Sequence, residues 1–487
     1  MFPIVVLTIN WIRRNRRALI VLATSVLVML HLAMGRMRQY ETDSNPAIYA
    51  NVDSNHVKTQ NAFMSPGLAA GWSLDREPVP SKSIEIPTRP VLESMGSVYT
   101  GPTRFDPAQP ISGDAKTTPL NFTPPFRTKG RHIIDATGTP IRLASINWYG
   151  ASDIDFVPGG LDVRHRDEIA QLIRRLGFNS VRLPYADEMV RANPVVNDRV
   201  ISKNLDLYDG QRVVPVRALD VFHAVVDSLT AAGLLVIVNN HITQATWCCG
   251  ANLCDAGWSN DWLFGKLLCR ISQSEDEWIE NWETVMRPLV SNPLVLGADL
   301  RNEVRGLWGT MHWEDWVKAA ERASERLLAW NPEWLMIVEG ISSANDLTGV
   351  RRRPVQLSVP DRVVYSAHVY QWSGWGQLYP YSRRTYEEFA AAMRENWGYL
   401  IEEDVAPVWV GEVGTPDEPT DGDVNYWRHL VEYLEEVGAS WGYWALNARK
   451  ATGEKESYGL VDEQWDWPSV RWVHPAWALV RSRYGVS

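Results

Sequence analysis

Cysteine is nearly absent from this chain of 487 residues: there are four, Cys248, Cys249, Cys254 and Cys269, all within one short stretch. A disulfide framework spread across the fold is therefore excluded, and any bridging is local. Two bridges formed in an oxidising compartment fit the cluster, with three pairings open. Zinc is the rival reading, yet no Cys-x-x-Cys pair is present and His241 is the only further ligand nearby. Cationic charge is also scarce, with 48 Lys and Arg against 58 Asp and Glu and a formal net charge of -10. Nucleic acid and other polyanions need a cationic surface, so they are excluded as main partners. A neutral ligand suits this balance.

Tryptophan, by contrast, is abundant: 24 residues, against 10 Phe. Its flat apolar face packs in cores and also stacks on the C–H face of a sugar ring. With 45% hydrophobic and 22% charged residues the chain has the composition of a globular body with a sizeable core.

The amino end differs from the rest. Ala18 to Gly35 reads ALIVLATSVLVMLHLAMG, apolar apart from Thr24, Ser25 and His31. At 1.5 Å per residue such a helix nearly crosses a bilayer core. Arg13, Arg14, Arg16 and Arg17 precede it, while Glu41 and Asp43 soon follow Arg36 and Arg38. The positive-inside bias then leaves the amino end cytoplasmic and the bulk of the chain lumenal or extracellular. A cleaved signal peptide is the competing reading, but no clear small-x-small cleavage site follows. Residues 36–125 are polar and punctuated by proline without a sustained period, as in a stem. Asn121-Phe122-Thr123 is an N-glycosylation sequon in that segment. The expected organisation is a tail over 1–17, a signal anchor over 18–35, a stem over 36–125 and a catalytic body over 126–487, that is, a type II membrane protein.

Within the body, Arg131 to Leu143 reads as a small hairpin closing one end of a barrel. Short apolar runs follow at Leu143–Asn147, Ser180–Pro184, Leu234–Asn240, Leu296–Asn302, Trp334–Glu339, Val363–His368, Val408–Glu412 and Trp441–Leu446. Runs of this kind have the character of buried parallel strands. Helical patterns lie between them: Ile169, Leu172, Ile173 and Leu176 precede Gly177, and Leu219, Phe222, Val226 and Leu229 precede Gly233, each glycine standing where a helix C-cap requires one. Eight alternations predict an α/β fold, a (β/α)8 barrel, with an open doubly wound sheet as second choice.

Barrel chemistry sits at the carboxyl ends of the strands. Those ends carry Arg182, His241, Asn302 with Glu303, His368 with Tyr370, Glu412 and Trp444. A retaining glycosidase needs one carboxyl to protonate the leaving oxygen and a second about 5 Å away to form a glycosyl-enzyme. Glu303 as acid/base and Glu412 as nucleophile supply that pair. Asn302 can bond a sugar 2-hydroxyl, Arg182 and Tyr370 can hold Glu412 ionised, and His241 and His368 can bind ring hydroxyls or relay protons. Trp444 can floor the sugar site or plug the barrel. Glu339 also closes a strand but has neither a preceding Asn nor an evident arginine partner, so it ranks as a binding or structural carboxylate.

This set resembles glycoside hydrolase family 5, the cellulase-like family, over roughly Gly130 to Gly485. The resemblance implies the barrel, the double displacement and the same eight positions: Arg182, His241, Asn302, Glu303, His368, Tyr370, Glu412 and Trp444. The segment Arg301-Asn302-Glu303-Val304-Arg305-Gly306 departs from the common Asn-Glu-Pro form and, like Trp247-Cys248-Cys249, is similar to the plant and fungal branch. A β-linked glucan, mannan or glycoconjugate is the implied substrate; neither cofactor nor metal is required. The implied partners are a carbohydrate and, through the anchor, a membrane. Two further functions compete. Tail, anchor and stem are also the layout of many glycosyltransferases, and Asp153-Ile154-Asp155 and Asp421-Gly422-Asp423 have the Asp-x-Asp spacing of a divalent-ion site. A carbohydrate-binding protein that kept the cleft without turnover is the other.

Overall fold

A computed structural model of the protein describes residues 122–208, 214–249, 252–306, 311–374 and 379–482. The predicted anchor and most of the stem lie outside these residues; among the described residues no helix is long and apolar enough to cross a membrane.

The described body begins with a small antiparallel sheet of β1 (Arg127–Lys129), β2 (His132–Ile134) and β3 (Pro140–Ile141). The hairpin expected over Arg131 to Leu143 is thus β2 and β3, and β1 adds an edge strand. Eight further strands follow: β4 (Ala144–Asn147), β5 (Ser180–Ala186), β6 (Leu235–Ile242), β7 (Val295–Asp299), β8 (Leu335–Glu339), β9 (Val363–Val369), β10 (Val408–Val413) and β11 (Ser440–Tyr443). They pair in parallel in chain order, and β11 returns to β4 to close the barrel. Closure leaves no sheet edge unpaired, which rules out the open doubly wound sheet.

The periodicities explain the outer layer. In the helix Arg166–Arg175, Ile169, Leu172 and Ile173 are buried, and Gly177 follows at φ +94°. The helix Ala218–Ala231 buries Val221, Phe222, Val225, Val226 and Leu229, and Gly233 follows at φ +79°. Side chains from the strands fill the barrel. Leu143, Leu235, Ile237, Leu296, Leu335, Ile337, Val364 and Trp409 form one cluster with Phe126 and Ile133, so the small sheet shares the barrel's own core. Each such side chain contributes roughly 1.5–3 kcal/mol by leaving water. This plug of apolar residues makes the barrel a rigid base rather than a pore, and it leaves the strand ends to hold the polar groups.

Two strands stop short of their predicted ends. β7 ends at Asp299, and the chain then turns, so that Asn302 and Glu303 stand beyond the ladder. β11 ends at Tyr443, with Trp444 just past it.

Candidate active site

Arg182, wholly buried on β5, organises the mouth of the barrel. Its Nε donates to Asp299 Oδ2 at 2.7 Å, and its Nη1 to Asn147 Oδ1 at 3.0 Å and to Glu412 Oε1. Its Nη2 donates to Asn302 Oδ1 at 2.7 Å and to Glu339 Oε1 at 3.0 Å. Burial disfavours the charge on Arg182, but Asp299, Glu412 and Glu339 more than offset it and hold the guanidinium protonated. One side chain thus ties together strands β4, β5, β7, β8 and β10.

Glu412 lies opposite His368 in the β9–β10 ladder, where the register shifts between Val410 and Glu412. Irregularities of this kind re-aim a side chain beside a site. The Tyr370 hydroxyl donates to Glu412 Oε2 at 2.9 Å, so together with Arg182 both carboxylate oxygens are partnered.

Glu303 stands in the turn after β7 with φ +48°, a left-handed conformation that costs a non-glycine residue of order 1 kcal/mol or more. The turn is held by its backbone N–H, which donates to Glu339 Oε2 at 2.7 Å. Glu339 therefore has the arginine partner that the sequence reading did not give it, and it braces Glu303 with its other oxygen. Burial raises the Glu339 carboxyl well above the ordinary range, with Asp299 adding to it and Arg182 opposing.

His368 Nδ1 lies 3.1 Å from Glu303 Oε1 and 3.8 Å from Glu412 Oε2. Burial pushes the imidazole down to about 4, with Glu412 opposing, so the ring is neutral near pH 7. Although 15% of the Glu303 side chain remains accessible, desolvation pushes its carboxyl up to about 7, against the pull of Arg305 and Arg182. One ligating atom from each of Glu303, His368 and Glu412 fits within a mutual separation of 4.8 Å.

Around this pair the mouth is aromatic. Trp444, 9% exposed, stacks in parallel on Tyr149 at 5.0 Å and on His241 at 5.5 Å. His241 Nδ1 is 2.9 Å from Asn239 Oδ1, and burial holds the ring neutral. Trp247 and Trp372 are 42% and 39% exposed: the first meets Trp444 edge-on and carries Lys450 Nζ over its ring at 4.4 Å, the second stacks on Tyr370 at 4.6 Å.

All eight positions named from the sequence therefore gather at one mouth. Asn147, Asp299 and Tyr149 were missed. Asn147 and Asp299 sit inside apolar runs, and only the identity of a polar residue in a buried strand marked them; Tyr149 had no such mark. The four cysteines pair as Cys248 with Cys249 and Cys254 with Cys269. Sulfurs joined to each other are not free thiolates, which overturns the zinc reading of the cluster with His241. The Asp-x-Asp spacings are local structure. Asp423 closes a capping box with Thr420 at the start of the helix Asp421–Val437, and Asp153 Oδ1 accepts from the Ile154 N–H at 2.8 Å.

The chain is similar to known proteins over most of the described body. The family profile described as Cellulase (glycosyl hydrolase family 5) matches residues 134–450. An endoglucanase of Paenibacillus polymyxa is 28% identical over 371 residues, covering 73% of this chain and 86% of its own. The major extracellular endoglucanase of Xanthomonas campestris pv. campestris is 28% identical over 373 residues, covering 73% and 70%. The solved catalytic domain of the major endoglucanase from that organism superposes with a TM-score of 0.60 at 26% identity, over 74% of this chain and 100% of that one. An endocellulase variant of Pyrococcus horikoshii, solved in complex with cellotetraose, shares the fold with a TM-score of 0.60 at 24% identity over 74% and 99%. The family match spans well over half of the chain, and the chain accordingly belongs to glycoside hydrolase family 5, as a glycosidase that hydrolyses O-glycosyl compounds.

Proposed function

We propose that the protein is a retaining β-glycosidase acting on a β-linked glucan, with Glu412 as nucleophile and Glu303 as acid/base. The observation that carries the reading is the closeness of the two carboxylates, with oxygens within 4.8 Å of each other about a shared His368. Retaining enzymes hold their carboxyl groups about 5–5.5 Å apart, whereas inverting ones leave about 6.5–9.5 Å for a water. In the first step a Glu412 oxygen bonds to the anomeric carbon as its bond to the leaving oxygen breaks, and that oxygen takes the Glu303 proton. In the second, Glu303 removes a proton from water, the water oxygen bonds to the anomeric carbon, and Glu412 leaves. Arg182 and Tyr370 hold both oxygens of the nucleophile in place, and Asn302 meets the 2-hydroxyl of the bound sugar.

His241 and Trp444 line the sugar site, and Trp247 and Trp372 extend it. The glucan assignment draws on the endoglucanase names of the relatives. The Arg301 to Gly306 segment supports a place in the plant and fungal branch. The apolar run at 18–35 supports a membrane tether that puts this cleft in the lumen or outside the cell. Digestion of a β-glucan and β-mannan panel, with Glu303→Gln and Glu412→Gln beside wild type, tests the reading: glucan is cleaved and both variants lose at least about 100-fold in rate. Wild-type rates in either variant would overturn it.

A further inference from the structure

The Asn302 carboxamide is buried, and its two ends are held by different groups. Oδ1 accepts from Arg182 Nη2 at 2.7 Å, whereas Nδ2 points to the sulfurs of Cys249 and Cys248, at 3.1 and 3.4 Å. These sulfurs belong to the segment that follows β6, are joined to each other, and come within 4.8 Å of a His241 ring nitrogen. The root of the segment is fixed separately, because Asp255 Oδ1 accepts from the Thr243 and Gln244 N–H groups, both at 3.0 Å, and Cys254 is bridged to Cys269. The second bridge therefore ties the segment to Cys269, and Cys248 packs against the main core. The Cys248–Cys249 pair also touches the site.

We propose that the joined Cys248–Cys249 pair is a positioning element for Asn302. An amide can be seated either way round, and its two ends have opposite hydrogen-bonding character. Arg182, a donor only, selects Oδ1; the bridged sulfurs carry no hydrogen, are acceptors only, and select Nδ2. Together they fix a single orientation of the carboxamide, Oδ1 toward Arg182 and Nδ2 toward the bridge. Reduction by a dithiol adds two electrons and two protons to the pair, converting the bridge to two S–H groups while the dithiol closes to its own disulfide. The thiols donate as well as accept and separate, so Nδ2 loses its fixed partner and activity becomes sensitive to redox state. The inference rests on the proposed role of Asn302 at the 2-hydroxyl.

The test compares aryl β-glucosides with their 2-deoxy counterparts, in wild type, in a Cys248→Ala/Cys249→Ala variant and in a Cys254→Ser/Cys269→Ser variant. A hydrogen bond is worth about 0.5–1.5 kcal/mol, so losing its alignment in the transition state lowers kcat by up to about tenfold. The alanine pair shows this loss in kcat with little change in KM, on the 2-hydroxy substrate and not on the 2-deoxy one. Dithiothreitol reproduces it in wild type. The serine pair loses thermal stability and keeps the wild-type ratio between the two substrates. Equal losses on both substrates, no loss, or alkylation of Cys248 and Cys249 without reductant overturns the proposal. Wild-type activity in Glu303→Gln or Glu412→Gln instead overturns the functional reading beneath it.

Discussion

At the scale of single residues, the site separates two carboxylates by their surroundings. Glu412 accepts from the Arg182 guanidinium and the Tyr370 hydroxyl, which fix both of its oxygens in place. Glu303 is desolvated and pushed up to about 7, so it carries a proton at the start of the cycle. Two outcomes follow from that value. The first is kinetic: kcat/KM falls with unit slope as pH rises through about 7, and this limb vanishes in Glu303→Gln when the leaving group needs no acid; pH profiles on aryl glycosides of differing leaving-group pKa measure it. The second is a stability effect with a definite sign. A carboxyl whose folded value is raised binds its proton more tightly when folded, so its contribution is complete below the ordinary value of 4.5 and is lost as pH rises to about 7. Glu303→Gln cannot ionise, so its Tm matches wild type near pH 4.5 and exceeds it at pH 8. An equal Tm difference at both pH values would contradict the burial of this charge.

At the scale of elements, the strands and the turns that follow them were legible to different degrees. All eight barrel strands could be read because strands covered on both faces are nearly continuous apolar runs. β1 could not be, since Arg127–Lys129 is three residues with a single buried position. The residues at the strand ends were legible because Arg, Asn, Glu and His after an apolar run have no place in the core without a partner. Their partners were not: that Arg182 reaches five acceptors, or that Glu339 braces the Glu303 N–H, depends on a register between strands far apart in sequence. The pairing of four clustered cysteines is likewise a question of distance, not order. β7 matters most here, because the turn that presents Glu303 springs from it. A Cβ placed on its Gly297 meets the Leu335 carbonyl of β8. Gly297→Ala must therefore push β7 and β8 apart, at a cost of about 1–3 kcal/mol for overpacking. A lower Tm and a lower kcat, by thermal melts and initial rates, are the expected result.

At the scale of the whole molecule, the described body holds a closed barrel, its core and every candidate site residue between 122 and 482. The segment before it contributes none of these groups. A protein starting near residue 122 is expected to keep the full-length kcat/KM while losing the sedimentation with membranes that the tether proposal requires; flotation of both forms with membranes distinguishes them. The proposed chemistry is double displacement at the carboxylate pair of the described barrel. The most direct measurement is proton NMR of the first-formed sugar product, taken before mutarotation, from a β-linked glucan. Two inversions, at Glu412 and then at water, return the β anomer, whereas a first-formed α anomer would show a single displacement and contradict the assignment of Glu303 and Glu412.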